Sequence, residues 1–245
     1  MRLLLLNPNT TPAITAQVAA SARAAARPDT EIVEATGEFG AAVIGSRTEN
    51  AIAAHAALQA ALSQPHPYDA LALAVSLDTA LDALREALDV PVVGLTEAAL
   101  IAATLVSRRA ALLTLGSRMV PPYAELIAHH GLASRVPVVE AMAMAPNDFL
   151  AGPLAAGDAL RAHCERLAQQ GAEALVLAGA VFAGHAAAIQ PAVPVPLIDG
   201  APVAVALAEM MVRLRLPKAA VGSLATPHGR ASTGVAPQLA AWLKR

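Results

Sequence analysis

Short aliphatic runs alternate along the chain with longer alanine-rich segments, the pattern of parallel strands buried on both faces by helices. The runs predict strands at Arg2–Leu6, Thr30–Ala35, Ala70–Val75, Val90–Leu95, Arg109–Leu115, Arg135–Glu140, Ala174–Ala178 and Val195–Asp199. Helical spacing predicts helices at Pro12–Ala26, Glu49–Ser63, Thr79–Leu88, Glu97–Leu105, Pro122–His130, Pro153–Gln170 and Pro202–Arg215. The chain thus reads as α/β. The stretch Ala172–Ile189 is apolar over nearly a membrane-spanning length, but it carries Glu173, His185 and glycines. It reads as a buried strand, a small-residue loop and the start of a helix.

An internal echo organises the pattern. Tyr68-Asp69-Ala70-Leu71-Ala72-Leu73-Ala74, followed downstream by Val90-Pro91-Val92-Val93-Gly94, matches Ala172-Glu173-Ala174-Leu175-Val176-Leu177-Ala178, followed by Val195-Pro196-Leu197-Ile198-Asp199-Gly200, at similar spacing. The opening strand with its Asn7-Pro8-Asn9-Thr10 turn pairs in the same way with Arg109–Leu115 and Gly116-Ser117. Two similar units follow, expected as a discontinuous first domain over 1–104 plus 201–245 and a second over 105–200. The tail Thr226–Pro237 lacks apolar periodicity and reads as a loop before a terminal helix anchored by Leu239, Trp242 and Leu243.

Composition narrows the partners. The 245 residues are 56% hydrophobic and 15% charged with a net charge of −2, enough apolar material for a substantial core and no basic footprint for nucleic acid. One Trp, two Tyr and three Phe are too few for base-stacking platforms. The single Cys164 makes no internal disulfide, and the apolar start Leu3–Leu6 is cut by Asn7-Pro8-Asn9 before it reaches the length of an export signal, so the expectation is a cytoplasmic protein with no membrane partner. The alanine and leucine content of the helices is compatible with a homo-oligomer.

In parallel sheets ligands bind beyond the carboxyl ends of the strands, where helix N-termini present unpaired N–H groups to anions. Four loops qualify: Asn7–Thr11, Ser76–Thr79, Thr114–Ser117 and Gly179–His185. Each also has a plain structural reading. Thr11-Pro12 reads as an N-cap with proline in the first turn, Ser76 and Asp78 as caps for the helix from Thr79, Thr114 and Ser117 as turn formers, and the glycines at 179 and 184 as close packing. The seven histidines show no ligand spacing, so no metal site is expected, and no Walker A, G-x-G-x-x-G or G-x-S-x-G sequence occurs.

The opening Leu-Leu-Asn-Pro-Asn-Thr-Thr, Ile44-Gly45-Ser46-Arg47, Pro91-Val92-Val93-Gly94-Leu95-Thr96-Glu97-Ala98, Leu113-Thr114 and Pro196-Leu197-Ile198-Asp199-Gly200 resemble the aspartate/glutamate/hydantoin racemase superfamily, closest to its hydantoin racemase branch, from residue 1 to about 215. The resemblance implies two Rossmann-like domains related by a pseudo-twofold axis, an active site in the cleft between them, and no cofactor. It also implies one cysteine from each domain flanking the substrate, one taking the α-proton and the other returning a proton to the opposite face. Those cysteines correspond to Ser76 and Gly179 here. A serine hydroxyl is far less acidic than a thiol and glycine has no side chain, so symmetrical two-thiol chemistry is excluded.

Cys164, in a helix away from the second loop, reads as a small core residue. His185 reads as a candidate base at the mouth of the Gly179 loop, and Asp78, matching an acidic residue of the resembled branch, as an orienting or substrate-contacting group. The expected anion pocket combines main-chain N–H groups of Ser76, Leu77, Asp78 and Thr79 and of Gly179, Ala180 and Val181 with Asn9, Thr10, Thr114 and Ser117. The leading expectation is a cofactor-independent enzyme acting on a small carboxylate, amino-acid derivative or cyclic ureide at the carbon beside a carbonyl. The alternatives are an arylmalonate-type decarboxylase, which needs only a reprotonating group, and a carboxylate-binding protein without catalysis.

Overall fold

The computed structural model describes residues 1–150, 156–227 and 229–244. Pro153, where the expected sixth helix begins, and His228 in the tail lie outside the described residues.

Eight strands form two four-stranded parallel sheets. The first contains β1 (Arg2–Asn7), β2 (Glu31–Thr36), β3 (Ala70–Leu73) and β4 (Val92–Val93) in the order β2-β1-β3-β4. The second contains β5 (Ala110–Leu115), β6 (Val138–Met142), β7 (Ala174–Leu177) and β8 (Leu197–Asp199) in the order β6-β5-β7-β8. The two orders are the same permutation, which the internal echo of the sequence predicts. In each sheet the chain steps outward from its first strand and then crosses to the other side, so the crevice opens beyond the carboxyl ends of β1 and β3, and of β5 and β7. The four candidate loops follow those four strands.

The aliphatic runs are continuous because both faces of each sheet are covered. In β1, Leu3 and Leu5 enter one core while Leu4 and Leu6 enter another, and none is more than 1% exposed. The Leu3 face is covered by α1 (Pro12–Ala25) and α8 (Gly200–Leu214); the Leu4 face packs against α2 (Arg47–Leu62) and α3 (Leu81–Ala87). In the second sheet Ala111, Leu113, Leu175 and Leu177 share the Leu3 core with Phe149 and with Leu160, Cys164 and Leu167 of α6 (Gly157–Gln169). Ala110, Leu112, Ala174 and Val176 face α4 (Leu95–Val106) and α5 (Val120–His129). One hydrophobic core therefore runs through both sheets.

Two helices cross over to the opposite sheet. α4 leaves β4 of the first sheet and lies against β7 and β8 of the second, whereas α8 leaves β8 and lies against β3 and β4 of the first. The two pack on each other. Their starts approach so closely that a Cβ on Gly200 would sit 2.4 Å from the Leu95 carbonyl oxygen, so glycine is demanded by backbone contact alone. The short α7 (His185–Ile189) is the helix start expected at the end of the Ala172–Ile189 stretch. The terminal α9 (Pro237–Leu243) docks Leu239 and Trp242 on Ala87, with the indole N–H donating to the Ala87 carbonyl at 3.0 Å.

Boundaries moved where turn chemistry outweighed periodicity. The helix expected from Thr79 begins at Leu81, because Asp78 and Ala80 take positive φ (49° and 65°) and interrupt the first turn. Thr11 does not cap α1 with its side chain; its hydroxyl donates instead to the Ala42 carbonyl at 2.7 Å, while Pro12 keeps the first helical position.

Candidate active site

The loop after β1 is held by its own amides. Asn7 Nδ2 donates to Asn9 Oδ1 at 2.8 Å and to Thr15 Oγ1 at 3.0 Å, and Asn9 Oδ1 also accepts the Thr11 N–H. The Thr10 N–H donates to the Ala41 carbonyl. Asn7 and Asn9 are both buried, and their acceptor oxygens are consumed in shaping the turn. Gly37 closes over it, since a Cβ there would lie 2.5 Å from the Pro8 carbonyl oxygen.

The loop after β3 meets the second sheet through hydroxyls. Ser76 Oγ and Tyr123 Oη lie 2.5 Å apart, joining β3's loop to α5 across the boundary between the sheets. Tyr123 is 2% exposed. Burial pushes its phenol up to about 12, against the opposite pull of the Ser76 and Thr114 hydroxyls beside it. Thr114, at the end of β5, is itself buried. Leu77 packs into the core that contains Tyr123, Ala178 and Met119, so the loops after β3, β5 and β7 converge on one region. Just outside, Arg47 at the start of α2 makes a bidentate ion pair with Glu125 of α5, at 2.6 and 2.7 Å.

Asp78 is 4% exposed, and its carboxylate accepts the N–H of Thr96 at 2.9 Å and of Glu97 at 2.7 Å in the first turn of α4. It caps that helix and not α3, because its left-handed backbone turns the side chain across the loop. Gly94, at the N-cap of α4, has no side chain to offer, and a Cβ there would meet the Asp78 Cγ at 2.5 Å. Burial pushes the Asp78 carboxyl up to about 7, outweighing the two N–H donors that favour the ionised form. Thr79 turns its hydroxyl to Asn50 Oδ1 at 2.6 Å. Among the described residues, the main-chain N–H groups of Ser76, Leu77, Thr79 and Ala80 have no protein acceptor, and the Asp78 N–H returns to the Val75 carbonyl.

The loop after β7 forms a 3-10 turn over Ala180–Phe182. The N–H groups of Gly179 and Ala180 likewise have no protein acceptor among the described residues. The turn is anchored from the first sheet by Gln17 of α1, whose Nε2 donates to the Val181 carbonyl at 2.7 Å and the Ala183 carbonyl at 3.2 Å. Asp199 ties the same loop from below, accepting the Gly184 N–H and the Ser21 hydroxyl at 2.7 Å each. Gly179 has extended backbone, and a Cβ placed on it would contact the Phe182 ring at 3.1 Å. A side chain at 179 therefore requires that ring to give by a few tenths of an ångström.

His185 is not at the mouth of this loop. It is fully buried in the second unit, with Nε2 3.1 Å from the Phe149 carbonyl oxygen and its ring edge-on to Phe149. The reason is α7, which turns the residue inward one helical step after Gly184. Cys164 is also fully buried, on α6, and burial raises its thiol to about 12. Ser117 is exposed in the turn after β5. A groove of about 790 Å³ lies elsewhere, between α1, α7 and β8, with mainly apolar walls.

Comparisons fix the lineage of this arrangement. The family model for Asp/Glu/Hydantoin racemase matches residues 3–208. The chain belongs to the Asp/Glu/hydantoin racemase family. Within it, the chain is 31% identical to a hydantoin racemase of Pseudomonas sp. (strain NS671) over 216 residues, 87% of each protein. It superimposes on an allantoin racemase of Pseudomonas fluorescens with a TM-score of 0.91 at 34% identity, covering 96% of this chain and 100% of that one. For an allantoin racemase of Klebsiella pneumoniae the TM-score is 0.92 at 31% identity, with 98% of each chain covered. This racemase-family chain shares the α/β architecture of those enzymes while carrying its single thiol at Cys164.

Sequence reasoning missed Tyr123, Thr96 and Gln17. Tyr123 was detectable: Met119, Tyr123 and Ile127 recur every four residues on one helix face, and a phenol on a buried face needs a polar partner.

Proposed function

We propose that this chain is a cofactor-independent isomerase of the hydantoin/allantoin racemase type, acting at the carbon beside a carbonyl of a cyclic ureide or small carboxylate. The observation that supports the reading is the Ser76–Tyr123 hydroxyl pair, 2.5 Å apart, beside Thr114 and a loop whose N–H groups at Ser76, Leu77 and Thr79 have no protein acceptor among the described residues. Such donors stabilise the negative charge that collects on a carbonyl oxygen when the neighbouring carbon becomes an enolate, since they are oriented before the reaction begins. Gly179 and Ala180 add N–H groups from the second unit that likewise have no acceptor among the described residues.

Ser76, Tyr123 and Thr114 are neutral donors at pH 7, and the Tyr123 phenol is held near 12. They deliver protons and hydrogen bonds; a neutral hydroxyl does not remove an α-proton unaided, so in the isomerase reading solvent hydroxide takes that proton to become water while these donors hold the enolate, and water returns a proton to either face. The two-thiol route is absent from this chain, because residues 76 and 179 carry no sulfur and Cys164 is sealed in the core. The same donor character favours a second reading, decarboxylation of a malonate-type acid: loss of carbon dioxide leaves the electron pair on the α-carbon, and only reprotonation is then required.

One experiment separates the readings. The protein is incubated in deuterated buffer with single enantiomers of allantoin, a 5-substituted hydantoin, aspartate and glutamate, and with an arylmalonate, while α-deuterium, optical rotation and carbon dioxide are followed. Deuterium uptake with loss of rotation supports the isomerase. Gas release supports the decarboxylase. Binding without turnover removes both and leaves a ligand-binding protein. The Ser76→Cys/Gly179→Cys variant is expected to racemise faster than the parent if the two positions face one substrate.

A further inference from the structure

We infer that Asp78 is a positioning residue that presents the anion-binding loop to its ligand, and that it does so by fastening this loop to the start of α4. The inference rests on the reading that the ligand's negative charge is held by the loop after β3. α4 grips the loop at two places. Its first-turn N–H groups at Thr96 and Glu97 hold the Asp78 carboxylate, at 2.9 and 2.7 Å, and the Thr96 hydroxyl donates to the Ser76 carbonyl oxygen at 2.5 Å. Between these grips lie Ser76 and Leu77, whose N–H groups are unpaired among the described residues, and the Ser76 hydroxyl on Tyr123.

The geometry makes the carboxylate specific to this task. Both its oxygens are engaged by α4 and the residue is only 4% exposed, at the edge of a small pocket beside His129 and His130, so the carboxylate is committed to holding the loop. Gly94 leaves the space that the carboxylate fills, 2.5 Å from where a Cβ would stand. Because α4 packs on β7 and β8, the grip also fixes the first unit's loop relative to the second sheet, from which Gly179 and Ala180 project. A displacement of about 1 Å between preorganised donors and ligand costs on the order of 10²-fold in rate in other enzymes, so a loop slackened at Asp78 is expected to bind poorly even when the fold is intact.

Asp78→Asn replaces one acceptor oxygen by an NH2 group that faces an N–H donor, so one of the two hydrogen bonds is lost while the volume stays the same. The test uses isotope-labelled protein at pH 8, where the native carboxyl is ionised. Racemic 5-methylhydantoin is titrated in, and the amide resonances of residues 76–80 and 179–180 are followed by NMR. The wild-type amides at 76, 77 and 79 are expected to shift on saturation. Asp78→Asn is expected to weaken the apparent Kd at least tenfold with the melting temperature within about 3 °C of the parent. Thr96→Val, which removes only the hydroxyl grip on Ser76, should weaken it three- to fivefold and serves if the Asn variant does not fold. Wild-type shifts confined to other residues, or no shifts, would sink the reading of the site and this inference with it. Wild-type shifts at 76–79 with variant affinities within twofold of the parent would sink this inference alone.

Discussion

The Ser76–Tyr123 contact is the polar link between the two units nearest the proposed chemistry, and a double-mutant cycle measures it. Ser76 is half-buried, so when Tyr123→Phe removes the phenol the serine hydroxyl turns to water, and the loss is about 1 kcal/mol, the net worth of a neutral hydrogen bond. Ser76→Ala costs more. It takes one of two hydroxyls from a phenol that is 2% exposed and leaves it Thr114 alone, so the cost falls toward the lower end of the about 1–3 kcal/mol that an unsatisfied buried donor carries. The double variant removes both partners together, so its cost should fall about 1 kcal/mol short of the sum of the single costs. Urea unfolding at pH 7, followed by far-ultraviolet circular dichroism and by the fluorescence of Trp242, gives the four stabilities. Additivity to within about 0.3 kcal/mol would refute the argument, because it would mean that the two hydroxyls do not bond in solution.

Three further outcomes follow from the geometry. Gly200→Ala forces a Cβ to within 2.4 Å of the Leu95 carbonyl oxygen, where no side chain can yield; destabilisation of about 3 kcal/mol or more in the same urea assay is expected, at the upper end for overpacking. Cys164, buried and raised to about 12, should not react with Ellman's reagent at pH 8 in the folded protein and should react fully in 6 M guanidinium. Asp78 ionises near 3.8 when unfolded and about 7 when folded, so between those values the folded chain holds a proton that the unfolded chain lacks. Its contribution to stability therefore declines as pH rises from 4 to 7 and is level above that, and the decline should be missing from the wild-type-minus-Asp78→Asn difference only if the carboxyl is not the titrating group.

Sequence alone determined the α/β class, the repeated unit and the four strand-end loops, because these follow from local patterns. A strand buried on both faces must be continuously apolar, as Leu3–Leu6 and Ala174–Leu177 are, and a duplicated unit repeats its spacing. It also determined that one chain cannot place a thiol on each side of a substrate, since it contains a single cysteine. Tertiary structure alone decided which groups meet. Asp78 and Thr96 are 18 residues apart, and Ser76 and Tyr123 are 47 apart, so the first contact depends on how α4 crosses between the sheets and the second on how α5 of the second unit is set against the first unit's loop. Local spacing read Asp78 as a cap for α3 and His185 as lying at a loop mouth; a positive φ at Asp78 and the inward turn of α7 sent both side chains elsewhere. A hydrogen bond is short-ranged and directional, so its partners are set by the last few ångströms of packing, which the order of residues along the chain does not encode locally.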